Sequence, residues 1–126
     1  MSLKVVLIAD DNPITVKILS RKLAKLAIDH VVAMCGHEAL SFLTESLRTD
    51  NRIIVAILDE DMKGGPDCIK GTEVVRRCNE EFPENEISFI SFSANKLESS
   101  TGFVGVFNKE EHEPLITEIN KLYFKK

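Results

Sequence analysis

The sequence predicts an α/β domain, a doubly wound five-stranded parallel sheet with helices on both faces. Three observations predict it. Apolar strand-length runs alternate with segments of helical periodicity along the chain. Two of those runs, residues 4–9 and 53–58, are apolar almost throughout, as strands buried on both faces are. Both then run straight into acids, Asp10-Asp11 and Asp59-Glu60-Asp61, and an open parallel sheet gathers its chemistry beyond the carboxyl ends of its strands.

The elements follow in order. After the first strand, Asn12 is a helix N-cap and Pro13 takes the first helical position. Val16, Leu19, Leu23 and Leu26 continue as one apolar stripe at helical spacing. Residues 30–34 read as a short second strand near a sheet edge, because polar residues flank it. Residues 38–47 read as a helix with Leu40, Leu43 and Leu47 on one face, and Asp50-Asn51 turns the chain into the third strand. A Gly/Pro loop over residues 63–70 follows Asp59. Thr72 is placed to cap a third helix that faces inward through Val74, Val75, Cys78 and Phe82, with Pro83 past its end. Residues 87–92 and 103–107 read as strands four and five, and residues 111–124 as a closing helix with Leu115, Ile119 and Leu122 inward. Residues 95–102 leave room for a short helix or an irregular link only. Strict alternation of strand and helix implies parallel pairing with crossovers over both faces.

Length and composition bound the function. A chain of 126 residues suits one domain with one core, residues 1–126. The net charge of −4, with no long basic stretch, argues against direct binding to nucleic acid. No apolar run is long enough to span a bilayer. The three cysteines, Cys35, Cys68 and Cys78, form no C-x-x-C pair, which points to reduced thiols and a cytoplasmic setting. His30, His37 and His112 show no metal-ligand spacing and read as structural or solvated residues.

The strand ends carry the chemistry. If strands one and three are neighbours, Asp10, Asp11 and Asp59 converge on one small volume. Carboxylates that close need a cation or shifted pKa values, and an all-oxygen site suits magnesium. Ser93 follows strand four and Lys109 follows strand five. A lysine and a hydroxyl can each contact a phosphoryl oxygen, and a carboxylate can attack phosphorus to form an aspartyl phosphate. Phosphoryl transfer asks mainly for positioning and charge neutralisation, which this set supplies.

Over essentially its whole length the sequence resembles the receiver domain of two-component response regulators, a flavodoxin-like fold. The resemblance lies in an acidic pair after strand one, Asp59-Glu60-Asp61-Met62 as D-x-x-M after strand three, Ser93-Ala94 after strand four and Lys109 after strand five. It implies that Asp59 is the phosphoacceptor. Asp11 then binds magnesium directly, Asp10 directly or through water, and Asp61 lends its backbone carbonyl to the metal. Ser93 and Lys109 hold the phosphoryl oxygens. The implied donor is a histidine kinase or histidine phosphotransfer protein. The implied role is a regulatory phosphoacceptor that catalyses its own phosphotransfer and slow dephosphorylation, not an enzyme with a turnover substrate. Output is expected from a separate or removed domain, and a homodimer is compatible with the family.

The sequence departs from the family's pattern at several places. Lys63 follows Met62 and Glu110 follows Lys109, where proline is usual in both positions. Gly71 stands 12 positions after Asp59, a longer loop than usual, and Lys109 only 16 after Ser93. The helix between strands four and five is therefore expected to be short or missing. Val106 occupies the position of the usual aromatic switch residue, and Phe107 beside it points to the opposite face. Two other functions compete. A pseudo-receiver would keep the fold and bind partners without phosphorylation. A haloacid-dehalogenase-type phosphohydrolase would share the D-x-D after a strand, but there the D-x-D strand comes first and the acidic pair last.

Overall fold

Five short strands form one parallel sheet at the centre of the protein: β1 (Val5–Ala9), β2 (His30–Ala33), β3 (Ile53–Leu58), β4 (Ser88–Ser93) and β5 (Gly105–Asn108). The computed structural model describes residues 4–62, 68–94 and 102–125. The strand order is β2-β1-β3-β4-β5, and every neighbouring pair is parallel. The chain leaves β1 toward one side for β2 and returns past it to β3, so the switch point of the sheet lies between β1 and β3. β1 is buried along its whole length and β3 at all but Ile54, as expected of central strands without alternation. β2 and β5 are the edges and are only partly buried.

Among the described residues four helices cover the two faces: α1 (Pro13–Lys25), α2 (Gly36–Arg48), α3 (Gly71–Glu81) and α4 (His112–Tyr123). One face packs Val6, Ile8, Ile57, Ile90 and Phe92 against Leu19 and Leu23 of α1 and Leu115 and Ile119 of α4. The other packs Leu7, Ala56, Leu58 and Phe89 against Ala39 and Leu43 of α2 and Val74 and Cys78 of α3. Each leucine so buried contributes about 2 kcal/mol relative to leaving it in water, which holds the strand ends in fixed register. The Cys78 thiol is pushed up to about 11, first by burial and then by the charge of Glu81, so it behaves as a small apolar group.

The helix boundaries refine the sequence reading. Asn12 caps α1 as expected, accepting from the N–H groups of Ile14 at 2.9 Å and Thr15 at 3.4 Å. Leu26 does not join the inward stripe. It is the C-cap residue and 38% exposed, because the helical period ends where Ala27 turns left-handed. The buried residues of α1 are Thr15, Leu19 and Leu23. In α2 the stripe is Gly36, Ala39, Leu43 and Ser46, with Leu40 and Leu47 on its partly buried flank. The helix starts at Gly36, earlier than expected, where the Ile69 carbonyl oxygen would lie 2.2 Å from an added Cβ and so excludes any side chain. α3 is capped at Lys70 and not at Thr72, which lies inside its first turn. Leu122 is half-buried in α4, and Tyr123 is buried in its place, its hydroxyl donating to the Lys4 carbonyl at 2.9 Å. β5 begins at Gly105 rather than 103, although the Val104 N–H already donates to the Phe89 carbonyl at 2.8 Å. Ala94 and residues 102–104 between β4 and β5 are not helical. Residues 95–101, where the short or missing helix was expected, lie outside the described residues, as do residues 63–67 of the Gly/Pro loop.

Ala27 adopts φ +58°, which costs a residue with a Cβ on the order of 1 kcal/mol. The turn is a Schellman motif, in which the Ile28 N–H donates to the Leu23 carbonyl at 2.9 Å. Ala27→Gly is expected to raise stability by roughly 0.5–1 kcal/mol, read as a higher urea midpoint at an unchanged m-value. An unchanged or lower midpoint would show that the turn is not strained.

Candidate functional site

The sheet ladder continues past the strand ends and carries the polar residues with it. The Asp10 N–H donates to the Ala33 carbonyl at 3.1 Å, the Asp59 N–H to the Ala9 carbonyl at 2.9 Å and the Lys109 N–H to the Ser93 carbonyl at 3.1 Å. Each bond fixes one residue of the rim to its neighbouring strand. The result brings Asp10, Asp11, Asp59, Ser93 and Lys109 to one end of the central strands, as the sequence predicts. One carboxylate oxygen from each of Asp10, Asp11 and Asp59 lies within 4.8 Å of the others.

Asp10 and Asp59 are 2% and 7% exposed, so both acids are withdrawn from water. Asp10 is held at both oxygens: Oδ1 accepts from the Asn12 N–H at 2.9 Å, and Oδ2 is ion-paired with Lys109 Nζ. The same ammonium lies 3.7 Å from Asp59 Oδ2. Asp59 Oδ1 accepts from the Asp61 N–H at 3.3 Å. The Asp59 carboxyl is raised above its usual range. Burial is the main cause and the Asp10 charge the second, opposed by Lys109, the Asp61 N–H and the Ser93 hydroxyl.

Ser93 is fully buried. Its Oγ accepts from the Glu60 N–H at 2.8 Å, and the nearby hydroxyl has a small lowering influence on the Asp59 carboxyl. Lys109 Nζ lies 5.2 Å from the centroid of the Phe92 ring, and His112 meets that ring edge-on at 5.4 Å. Phe92 thus forms an apolar floor beneath the ammonium group, and cation–π attraction helps keep the lysine over the acids. Sequence reasoning missed this role for Phe92. The alternation of the fourth strand held a signal, since it puts Phe92 and Ser93 on opposite faces. Phe107 packs on the same face as Phe92, while Val106 pairs with Ser91 on the other, as expected. No cis peptide bond occurs among the described residues, so Lys109–Glu110 is trans.

The acids fit a magnesium ion. All the donors are hard oxygens, and metal–oxygen distances of about 2.0–2.1 Å place ligand oxygens roughly 3–4 Å apart, a small contraction of the spacing in the cluster. The rim combines a cluster of three acids that could hold a cation, two of them buried, with a buried hydroxyl and an ammonium group. No group of three histidines, cysteines or acids elsewhere among the described residues forms a comparable cluster.

The sequence matches no family model and no curated protein. The structure matches many solved ones. It is similar to the response regulator TrrA from Thermotoga maritima in complex with Mg2+-BeF, with a TM-score of 0.76 and 23% identity over 95% of this chain and 99% of that one. It is similar to the receiver domain of a Francisella response regulator, with a TM-score of 0.71 and 25% identity over 95% and 96% of the two chains. It also matches the co-crystal structure of the Saccharomyces cerevisiae histidine phosphotransfer protein Ypd1 with the receiver domain of the response regulator Ssk1, with a TM-score of 0.72 and 18% identity over 97% and 90% of the two chains. The protein has the receiver-domain fold of the response regulators.

Proposed function

We propose that the protein is a phosphorelay receiver that takes a phosphoryl group on Asp59 from a histidine kinase or histidine phosphotransfer protein. One observation carries the reading: the Lys109 ammonium bridges the buried carboxylates of Asp10 and Asp59, with the buried Ser93 hydroxyl held by the N–H of the residue after Asp59. An Asp59 oxygen attacks the phosphorus of a phosphohistidine. The new O–P bond forms as the P–N bond breaks, and the electron pair stays on the imidazole, which takes up a proton from solvent. Lys109 moves from the acids to a phosphoryl oxygen, and the Ser93 hydroxyl donates to another. Asp10, Asp11, Asp59 and the Asp61 carbonyl would hold magnesium, whose charge neutralises the acids and the transferred group. Hydrolysis of the acyl phosphate then returns the carboxylate. The chemistry makes the protein a regulatory phosphoacceptor, and its output is a partner or domain that reads the phosphorylated state.

Several findings support this reading. The TrrA structure holds Mg2+-BeF, and the Ssk1 receiver domain is bound to a histidine phosphotransfer protein. The acidic pair follows the first strand and Asp59 the third, the reverse of the order a haloacid-dehalogenase-type hydrolase requires. No helix among the described residues is long and apolar enough to cross a membrane. Borohydride reduction of the acetyl phosphate-treated protein locates the adduct, because it converts an aspartyl phosphate into homoserine. Peptide mass mapping is expected to find homoserine at position 59; a reduced side chain at another aspartate or at a glutamate, with Asp59 intact, would overturn the assignment.

A further inference from the structure

Glu60 does more than fill the gap between two functional acids. Its carboxylate reaches across to α3, where Oε1 accepts from the Thr72 N–H at 2.8 Å and Oε2 from the Thr72 hydroxyl at 2.8 Å. Its own N–H donates to Ser93 Oγ at 2.8 Å. One residue therefore joins the turn after β3, the end of β4 and the first turn of α3.

The local sequence leaves this task to Glu60. Lys70, the N-cap of α3, offers no side-chain oxygen to the orphan N–H groups of the helix. A carboxylate from 12 residues upstream takes the place of the cap and also meets the positive end of the helix dipole. The junction is tight at a second point, because a Cβ on Gly71 would stand 2.8 Å from the Asp59 carbonyl oxygen. The backbone of Asp59 is thus pressed against α3 while Glu60 ties it there.

We propose that Glu60 is a positioning residue of the phosphoacceptor site: by latching onto Thr72 it holds its own N–H against Ser93 Oγ, so that the Ser93 hydroxyl is aimed at Asp59. The hydroxyl has one proton. While its oxygen is engaged by the Glu60 N–H, that proton is directed to the carboxylate, and to the phosphoryl group that forms there. Released from Thr72, the turn no longer holds that N–H in place, and the hydroxyl is free to rotate. The inference rests on the phosphoacceptor reading above.

The test compares Glu60→Ala, Glu60→Gln and Thr72→Val with wild type, and with Glu73→Ala as a stability control. Glu73 is ion-paired with Arg76 and Arg77 within α3. Glu60→Ala is expected to slow labelling by acetyl phosphate with magnesium about tenfold, the effect of one lost hydrogen bond in the reacting arrangement. Glu60→Gln, whose amide oxygen still accepts from Thr72, is expected to restore most of the rate, and Thr72→Val to give an intermediate one. Glu73→Ala is expected to lower the unfolding midpoint and leave the rate unchanged. Amide hydrogen exchange in metal-free protein provides a readout that needs no phosphorylation: Glu60→Ala is expected to speed exchange of the residue-60 and Thr72 amides together. Labelling of Glu60→Ala at the wild-type rate, or unchanged exchange at residue 60, would overturn the proposal. A wild type that takes no label would instead overturn the phosphoacceptor reading, and the exchange data would still decide whether the latch orders the turn.

Discussion

Lys109→Ala is expected to destabilise the metal-free protein by roughly 2 kcal/mol and to slow phosphoryl uptake at least about a hundredfold. The lysine is the positive charge that faces both buried acids, ion-paired with Asp10 and 3.7 Å from Asp59. Its removal leaves two carboxylates facing each other in a site with little water. Breaking a fully buried pair costs more, but the Lys109 side chain is 23% exposed, which puts the effect toward the lower end. Magnesium should recover part of the lost stability, because the metal supplies charge to the same oxygens, and it should not recover the rate, because the phosphoryl group still lacks its ammonium partner. Urea unfolding at neutral pH with and without magnesium checks the first effect and labelling kinetics the second. An alanine variant that unfolds at the wild-type midpoint without metal would show that the lysine does not hold the acids together.

Asp59→Asn is expected to do the opposite and stabilise the metal-free protein at neutral pH by on the order of 1 kcal/mol. The folded protein holds the Asp59 proton more tightly than the unfolded chain does, chiefly through burial and next through Asp10. The stability that this group contributes is therefore fully present below its ordinary value of 3.8 and is lost as pH rises through the higher folded value. Above that value wild type keeps a charge in a site that disfavours it, and asparagine of the same shape keeps none. The gain should shrink as pH falls toward the ordinary carboxylate range. Saturating magnesium should narrow it at neutral pH, since metal binds the folded wild type more tightly than a variant that lacks one carboxylate. Thermal unfolding of both proteins across acid to neutral pH reads the crossover. A variant less stable than wild type at neutral pH without metal would mean that the attraction of Lys109 outweighs burial.

Much of this site was legible in the sequence because it depends on short-range rules. A strand buried on both faces must be apolar, so the residue at which polarity resumes marks its end. Two such ends gave Asp10 and Asp59, Ser93 and Lys109 stood at the ends of the next two strands, and parallel pairing brings strand ends to one rim. What the sequence hid depends on contacts between distant segments. Glu60 meets Thr72 only because α3 is seated against the Asp59 carbonyl, so Thr72 looked like a cap when it is a partner of the turn after β3. Ile69 lies against Gly36 at the start of α2 and leaves no room for a side chain there, which no periodicity records. Leu26 matched the inward spacing of α1 but fell beyond the last turn, where the left-handed Ala27 ends the period. The aromatic floor under Lys109 shows a related limit: Phe92 was visible as a core residue, but its contact with the ammonium group depends on where the lysine loop returns.

The most direct test is intact mass after incubation with acetyl phosphate, with and without magnesium, on wild type and Asp59→Asn, with a known receiver labelled in parallel. The expected result is a single phosphoryl adduct on wild type that requires magnesium and is absent from the variant. A folded wild type that stays unmodified while the known receiver is labelled would contradict the phosphoacceptor assignment and favour a domain that keeps the receiver fold to bind partners without phosphorylation.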